Sequence, residues 1–189
     1  GIGLGDVAGK GLPAALLMCS FQASLHALSE LDLPLAGMVA RLNRLLGLRI
    51  PENRFVTFFY GMLDPARHTM AYVNAGHNPP FLLSRANGVA ALDGPRSKPL
   101  GIRPTFSYET GTRKLDPGDC VFLFTDGITE AMDAAGEWFS QERLQETLRS
   151  LAGEPASAVV GKVIATVREF AATAPQAADI AAMAIRRSG

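Results

Sequence analysis

Two aspartates sit where a carboxylate is awkward unless it holds a cation. In "GDVAGKGLPAAL", residues 5–16, Asp6 closes an apolar, strand-like stretch and is followed by Gly9 and Gly11. Glycine-rich turns from strand to helix usually cradle phosphate through backbone N–H groups, and an acid there opposes an anion unless positive charge lies between them. In "LFTDGITEA", residues 123–131, Asp126 ends the hydrophobic run from Val121 to Phe124 in the same way, again beside a glycine. Two such carboxylates, brought to adjacent strand ends, need a proton or a cation between them. Oxygen donors without a His or Cys cluster favour Mg²⁺ or Mn²⁺ over zinc. The plainer account of Asp126 is a side chain capping its own turn, which Asp-Gly often does.

Spacing excludes other glycine-loop and nucleophile chemistries. A Walker-type loop needs a glycine five positions before its Gly-Lys pair and Ser or Thr after it; Gly9-Lys10 has Leu4 and Gly11 there. Gly3, Gly5 and Ala8 fit the loose dinucleotide pattern, but two consecutive helices follow where a βαβ unit is required. A cysteine phosphatase needs an arginine six residues after its nucleophile; Cys19 and Cys120 have Leu25 and Asp126 there, and both read as small apolar packing residues. "GHNPP", with His77 and Asn78, reads as a hairpin loop, and a lone loop histidine is more often structural or solvated than catalytic.

The elements that must position these residues follow from periodicity. After the glycine turn, Pro13 suits a first helical turn, and Ala14, Met18, Phe21, Leu25 and Leu28 recur at helical spacing. A second helix follows Pro34, with Leu35, Met38, Val39, Leu42, Leu45 and Leu46 on one face. From Phe55 the runs "FVTFFYGML", "TMAYVNA" and "FLLS", broken by "DPARH" and "AGHNPP", predict antiparallel hairpins. "FSYETGTRKL" and "CVFLFTDG" repeat the scheme across "DPGD". Two further helices, "QERLQETLRSL" and "PASAVVGKVIATVREFAATA", precede a closing strand in "IAAMAIR". Strand, helix pair, antiparallel strands, helix pair and strand imply an α+β architecture with helices layered on sheets.

Composition sets the bounds. The 189 residues are 48% hydrophobic and 19% charged, which suits one globular domain over 1–189. Lys+Arg and Asp+Glu are 18 each, so no charge excess points to nucleic acid or an anionic membrane. Two cysteines without a disulfide framework suit reduced thiols and a cytoplasmic setting. No uninterrupted apolar stretch approaches the roughly 20 residues of a bilayer span, and no signal peptide is recognisable. "GIGLG" reads as a strand already under way, so the domain's natural beginning is expected upstream of residue 1.

In order along the chain, "GDVAGKGLPAALLM", "RFVTFFYGMLDP", "YVNAGHNPPFLL", "KPLGI", "LDPGDCVFLFTDGITEAMDAAGEWF" and "QAADIAAMAIR" resemble the metal-dependent Ser/Thr protein phosphatases of the PPM (type 2C-like) family, in the bacterial SpoIIE/RsbU branch. The resemblance implies a four-layer αββα sandwich of two antiparallel sheets flanked by helix pairs, here without its first strand. It implies hydrolysis of a Ser/Thr phosphoprotein with two Mn²⁺ or Mg²⁺ ions and no covalent enzyme intermediate. Carried over by position, Asp6 would bridge the ions, the Val7 carbonyl would bind one and Asp126 the other, making Asp6 and Asp126 the catalytic acids. Gly5, Gly9 and Gly11 would let backbone and phosphate approach closely, and Gly9 and Lys10 would meet the phosphate. The family's closing Asp-Asp-Ile-Thr stands here as Ala178-Asp179-Ile180-Ala181, so its first acid is absent and Asp179 is the remaining metal-ligand candidate. The implied substrate is a phosphorylated anti-sigma factor antagonist, with a sensor or receiver domain upstream. Ala178 motivates an alternative, a degenerate phosphatase fold that binds a regulatory partner without hydrolysis. The helix pair at 13–49 is a candidate regulatory or homodimer surface, against the plainer account of core packing.

Overall fold

Glycine alternates with larger residues in β1 (Ile2–Val7) for a reason of space. A Cβ on Gly3 would stand 3.1 Å from ring atoms of Phe58 and Tyr60, and one on Gly5 would stand 3.3 Å from Phe21. The bare backbone lets aromatic rings lie against the strand. This computed structural model describes residues 1–48, 54–176 and 178–188. They form two compact units, Gly1–His77 with Gly94–Lys114, and Asn78–Asp93 with Leu115–Gly189.

In the first unit, β1 pairs antiparallel with β2 (Val56–Asp64), which pairs antiparallel with β3 (Thr69–Ala75). Two short strands flank β3: β6 (Arg96–Ser97), parallel over two residues, and β7 (Gly111–Lys114), antiparallel. Helices α1 (Leu12–Ser29) and α2 (Leu35–Gly47) cover one sheet face. Leu17, Phe21 and Leu28 of α1 and Met38, Val39, Leu42 and Leu46 of α2 bury against Val7, Val56, Phe58, Tyr60 and Val73.

In the second unit the strand order is β5 (Gly88–Ala91), β4 (Phe81–Ser84), β8 (Cys120–Phe124) and β9 (Ala182–Arg186), all antiparallel. β8 is buried along its whole length, which is why it reads as a continuous apolar run. A short helix α3 (Asp126–Thr129) follows it, and α4 (Ser140–Ser150) and α5 (Ala156–Ala171) place Leu144, Leu148, Val159, Val163 and Val167 against Phe81, Phe122 and Phe124.

The structure corrects three expectations. The strand expected over 106–115 shrinks to β7, because Phe106 and Tyr108 pack edge-on against each other at 5.3 Å within the first core. Leu45 is 39% exposed, and Asn43 takes the buried place beside it. Cys19 is exposed; only Cys120 packs in a core. Helix α1 has a mean hydropathy of 1.3 and, among the described residues, is the one helix long and apolar enough to cross a bilayer by length and composition. Its buried residues all lie in the core of their own unit.

Candidate active site

Asp6 is the penultimate residue of β1, held by a ladder that sets it directly opposite Thr57. Opposed residues of an antiparallel pair project from the same face, with Cβ atoms about 4.5–5.5 Å apart. Val7, Val56 and Phe58 belong to the core under α1 and α2. Alternation along each strand therefore turns Asp6 and Thr57 to the opposite face, where Phe59 and Tyr72 stack at 5.5 Å. Asp6 is half-buried and Val7 buried.

After Val7, the Ala8 N–H donates to the Phe55 carbonyl at 2.9 Å, and the chain then turns through Gly9 (φ +108°) and Gly11 (φ +77°) into α1. The positive φ values explain the glycines, since a side chain there costs roughly 1 kcal/mol or more. Gly9 and Lys10 are both exposed. Arg54, which sequence reasoning missed, lies over this turn: a Cβ on Gly9 would stand 2.5 Å from its Nη1, and Nη1 donates to the Ala8 carbonyl at 3.4 Å. Its signal in the sequence was only adjacency to "FVTFFYG".

Two other motifs converge on the same strands. Val56 exchanges backbone hydrogen bonds with Leu100 of "KPLGI", at 3.0 and 2.8 Å. Gly76 of "GHNPP" has φ +71°, and a Cβ there would run into the Pro99 ring. His77 is 6% exposed, and its Nδ1 is hydrogen-bonded to Thr57 Oγ1 at 2.9 Å. His77 is thus buried and structural, one of the two outcomes expected of it, and it contacts the residue opposite Asp6.

In the second unit, Asp126 is half-buried at the first position of α3, directly after β8. The residues on either side of it meet the main chain of Asp179. The Thr125 hydroxyl donates to the Asp179 carbonyl at 3.0 Å and accepts the Ala181 N–H at 3.0 Å, and a Cβ on Gly127 would collide with the Asp179 carbonyl. The closing motif therefore lies beside Asp126. Asp179 is exposed, while Ala178 lines a groove of about 290 Å³ with Gly127, Val167 and Ile180. The structure thus groups Asp6, Val7, Gly9 and Lys10 in one unit and Asp126 and Asp179 in the other.

The donors fit a hard divalent cation in kind, being carboxylates and a main-chain carbonyl at strand ends. Among the described residues no group of three or more His, Cys, Asp or Glu side chains is poised to hold one.

Comparison with known proteins gives this arrangement its context. The family of Stage II sporulation protein E (SpoIIE) matches residues 1–188. Phosphoserine phosphatase RsbU of Bacillus subtilis is 31% identical over 135 residues, covering 71% of this chain and 40% of RsbU. The chain thus spans less than half the length of that relative. The SiaA-PP2C domain of Pseudomonas aeruginosa superposes with a TM-score of 0.82 at 24% identity, over 97% of this chain and 74% of that one. The RsbU and RsbW domains of a Mycobacterium tuberculosis protein give 0.81 at 21% identity, over 98% and 51%. Two sheets with their helices in this order make the PP2C-like α+β fold, and the chain belongs to the SpoIIE family of phosphatase domains.

Proposed function

We propose that the chain is a metal-dependent Ser/Thr phosphoprotein phosphatase domain, the output module of a longer bacterial signalling protein working in the cytoplasm. Its substrate would be a phosphorylated anti-sigma factor antagonist, and its input a sensor or receiver domain upstream. The observation that carries this reading is Asp6 at the end of β1, with an open glycine turn after it and a conformationally locked neighbour opposite. RsbU, which bears the name phosphoserine phosphatase, supports the reaction class.

In this reading Asp6, the Val7 carbonyl, Asp126 and Asp179 hold the cations. Two Mn²⁺ or Mg²⁺ ions would supply Lewis acidity to the phosphoryl oxygens and acidify an attacking water. Gly9 carries no side chain, which leaves room for the Arg54 guanidinium over the turn, where a phosphoryl group would meet it. Lys10 and Arg54 place positive charge where the leaving phosphate must be held.

The test is hydrolysis of p-nitrophenyl phosphate and of a phosphorylated antagonist with Mn²⁺ titrated into the millimolar range. Asp6→Ala and Asp126→Ala should each lower kcat/KM by about 10³-fold or more, since metal charge stabilisation contributes several kcal/mol. Ala178→Asp should raise Mn²⁺ affinity. The second reading, a phosphatase fold that only binds a regulatory partner, rests on Ala178. It prevails if the natural sequence is inactive at every Mn²⁺ concentration while Ala178→Asp turns over.

A further inference from the structure

The loop "GHNPP" is the motif that the chemistry above leaves unused, yet its histidine is among the most constrained polar residues of the first unit. Asn74 of β3, 4% exposed, clasps the loop with both ends of its amide. Its Oδ1 accepts the His77 N–H at 2.8 Å and its Nδ2 donates to the His77 carbonyl at 3.0 Å. Pro99 occupies the space that any side chain at position 76 would need. The imidazole is thereby fixed with Nδ1 2.9 Å from Thr57 Oγ1. Thr57 in turn lies opposite Asp6 in the ladder. Burying such polar groups is costly unless they are hydrogen-bonded, so a locked polar relay ending beside an acid demands a reason.

The direction of the Thr57–His77 bond decides what the hydroxyl can offer. A threonine hydroxyl has one proton. If it donates to Nδ1, it presents only lone pairs across the ladder, which repel a carboxylate. If Nδ1–H donates to Oγ1, the hydroxyl proton remains for Asp6. We propose that His77 and Thr57 are positioning residues for Asp6: His77 Nδ1–H donates to Thr57 Oγ1, and the Thr57 hydroxyl donates to the Asp6 carboxylate, directly or through one water, holding it ready for a divalent cation. This rests on the metal-site reading of Asp6 given above. Groups that orient metal-ligating carboxylates typically change metal affinity 10–100-fold when removed.

The experiment measures Mn²⁺ affinity from the electron paramagnetic resonance signal of the free ion, alongside the thermal midpoint without metal. Thr57→Val, which keeps the shape and deletes the hydroxyl, should weaken Mn²⁺ binding about 10–100-fold in a protein that still unfolds cooperatively, its midpoint lowered by the loss of the His77 partner. Thr57→Ser should bind close to wild type. His77→Leu should weaken binding like Thr57→Val, and His77→Asn, which returns an amide donor near the Nδ1 position, should recover part of the loss. If the His77 variants fail to fold, the Thr57 pair decides alone. A folded Thr57→Val protein with wild-type Mn²⁺ affinity overturns the positioning role while Asp6→Ala still abolishes binding. Should the wild type bind no Mn²⁺, or Asp6→Ala bind it unchanged, the metal-site reading falls and this role falls with it.

Discussion

Asn43 shows how much one polar residue can organise. It is fully buried in α2, where its Nδ2 donates to the Arg103 carbonyl at 2.7 Å and its Oδ1 accepts the Gly101 N–H at 2.8 Å. Through these bonds the helix grips the segment after "KPL", whose Leu100 is tied to Val56 and so to the strand opposite β1. Replacing Asn43 with Leu removes two part-buried hydrogen bonds and leaves the Gly101 N–H and the Arg103 carbonyl without that partner. A typical hydrogen bond contributes about 0.5–1.5 kcal/mol net, so Asn43→Leu should destabilise the protein by roughly 1–3 kcal/mol in urea unfolding. Helical periodicity alone assigned the inward place to Leu45, because hydropathy counts an amide as surface. The partners that make Asn43 an inward residue lie about 60 positions away, and no local pattern carries them. Between the structural and the solvated account of His77 the sequence could not choose for the same reason: its burial comes from Asn74 and Thr57, which a loop reading does not weigh.

At the scale of elements, long periodic segments were legible and short or borrowed ones were not. The two helix pairs and strands β2, β3, β4 and β8 stand where periodicity predicts them. A two-residue strand such as β6 has no period to detect, and α3 is a single turn after an Asp-Gly. The β2–β3 hairpin was legible because "DPAR" carries its own chemistry. Asp64 Oδ1 accepts the N–H groups of Ala66 and Arg67 at 3.0 Å each, and the Arg67 guanidinium meets Oδ2 at 3.0 Å. The Arg67 backbone N–H, followed by the other hydrogen bonds in the turn, holds the Asp64 carboxyl below its ordinary value of 3.8. A carboxyl lowered in the folded state contributes stability that is complete above the unfolded value and fades as pH falls through the folded one. Asp64→Asn keeps the Oδ1 acceptor and loses the charge. It should therefore unfold at lower urea than wild type at pH 6, with the gap closing as pH falls below the ordinary 3.8 and the wild-type carboxyl takes its proton. A gap that stayed constant from pH 6 to pH 2 would assign the turn's stability to geometry alone.

For the whole molecule, six separate motifs resolve into two local assemblies. "GDVAGKG", "RFVTFFYG", "NAGH" and "KPLGI" meet in the first unit through the Asp6–Thr57 register, the Thr57–His77 bond, the Gly76–Pro99 packing and the Val56–Leu100 bridge. "FTDGITE" and "ADIAAMAIR" meet in the second through Thr125, Asp179 and Ala181. Their order along the chain announced the family, while the contacts that join them only the fold supplies. Each unit also has its own core, and the two cysteines report on them separately. Cys19 is exposed on α1. Cys120 is fully buried in β8 against the α4–α5 helix pair, and desolvation pushes its thiol above the ordinary range. Thiolate is the reactive form, so burial withholds Cys120 from reagents both sterically and by suppressing ionisation. In native buffer at pH 8, a chromogenic disulfide reagent should titrate one thiol per chain at once, and none in Cys19→Ser. The second thiol should appear only as the second unit opens, so its labelling rate in rising urea measures that unit's stability. Immediate reaction of two thiols in native buffer would show that β8 is not sealed as its burial requires.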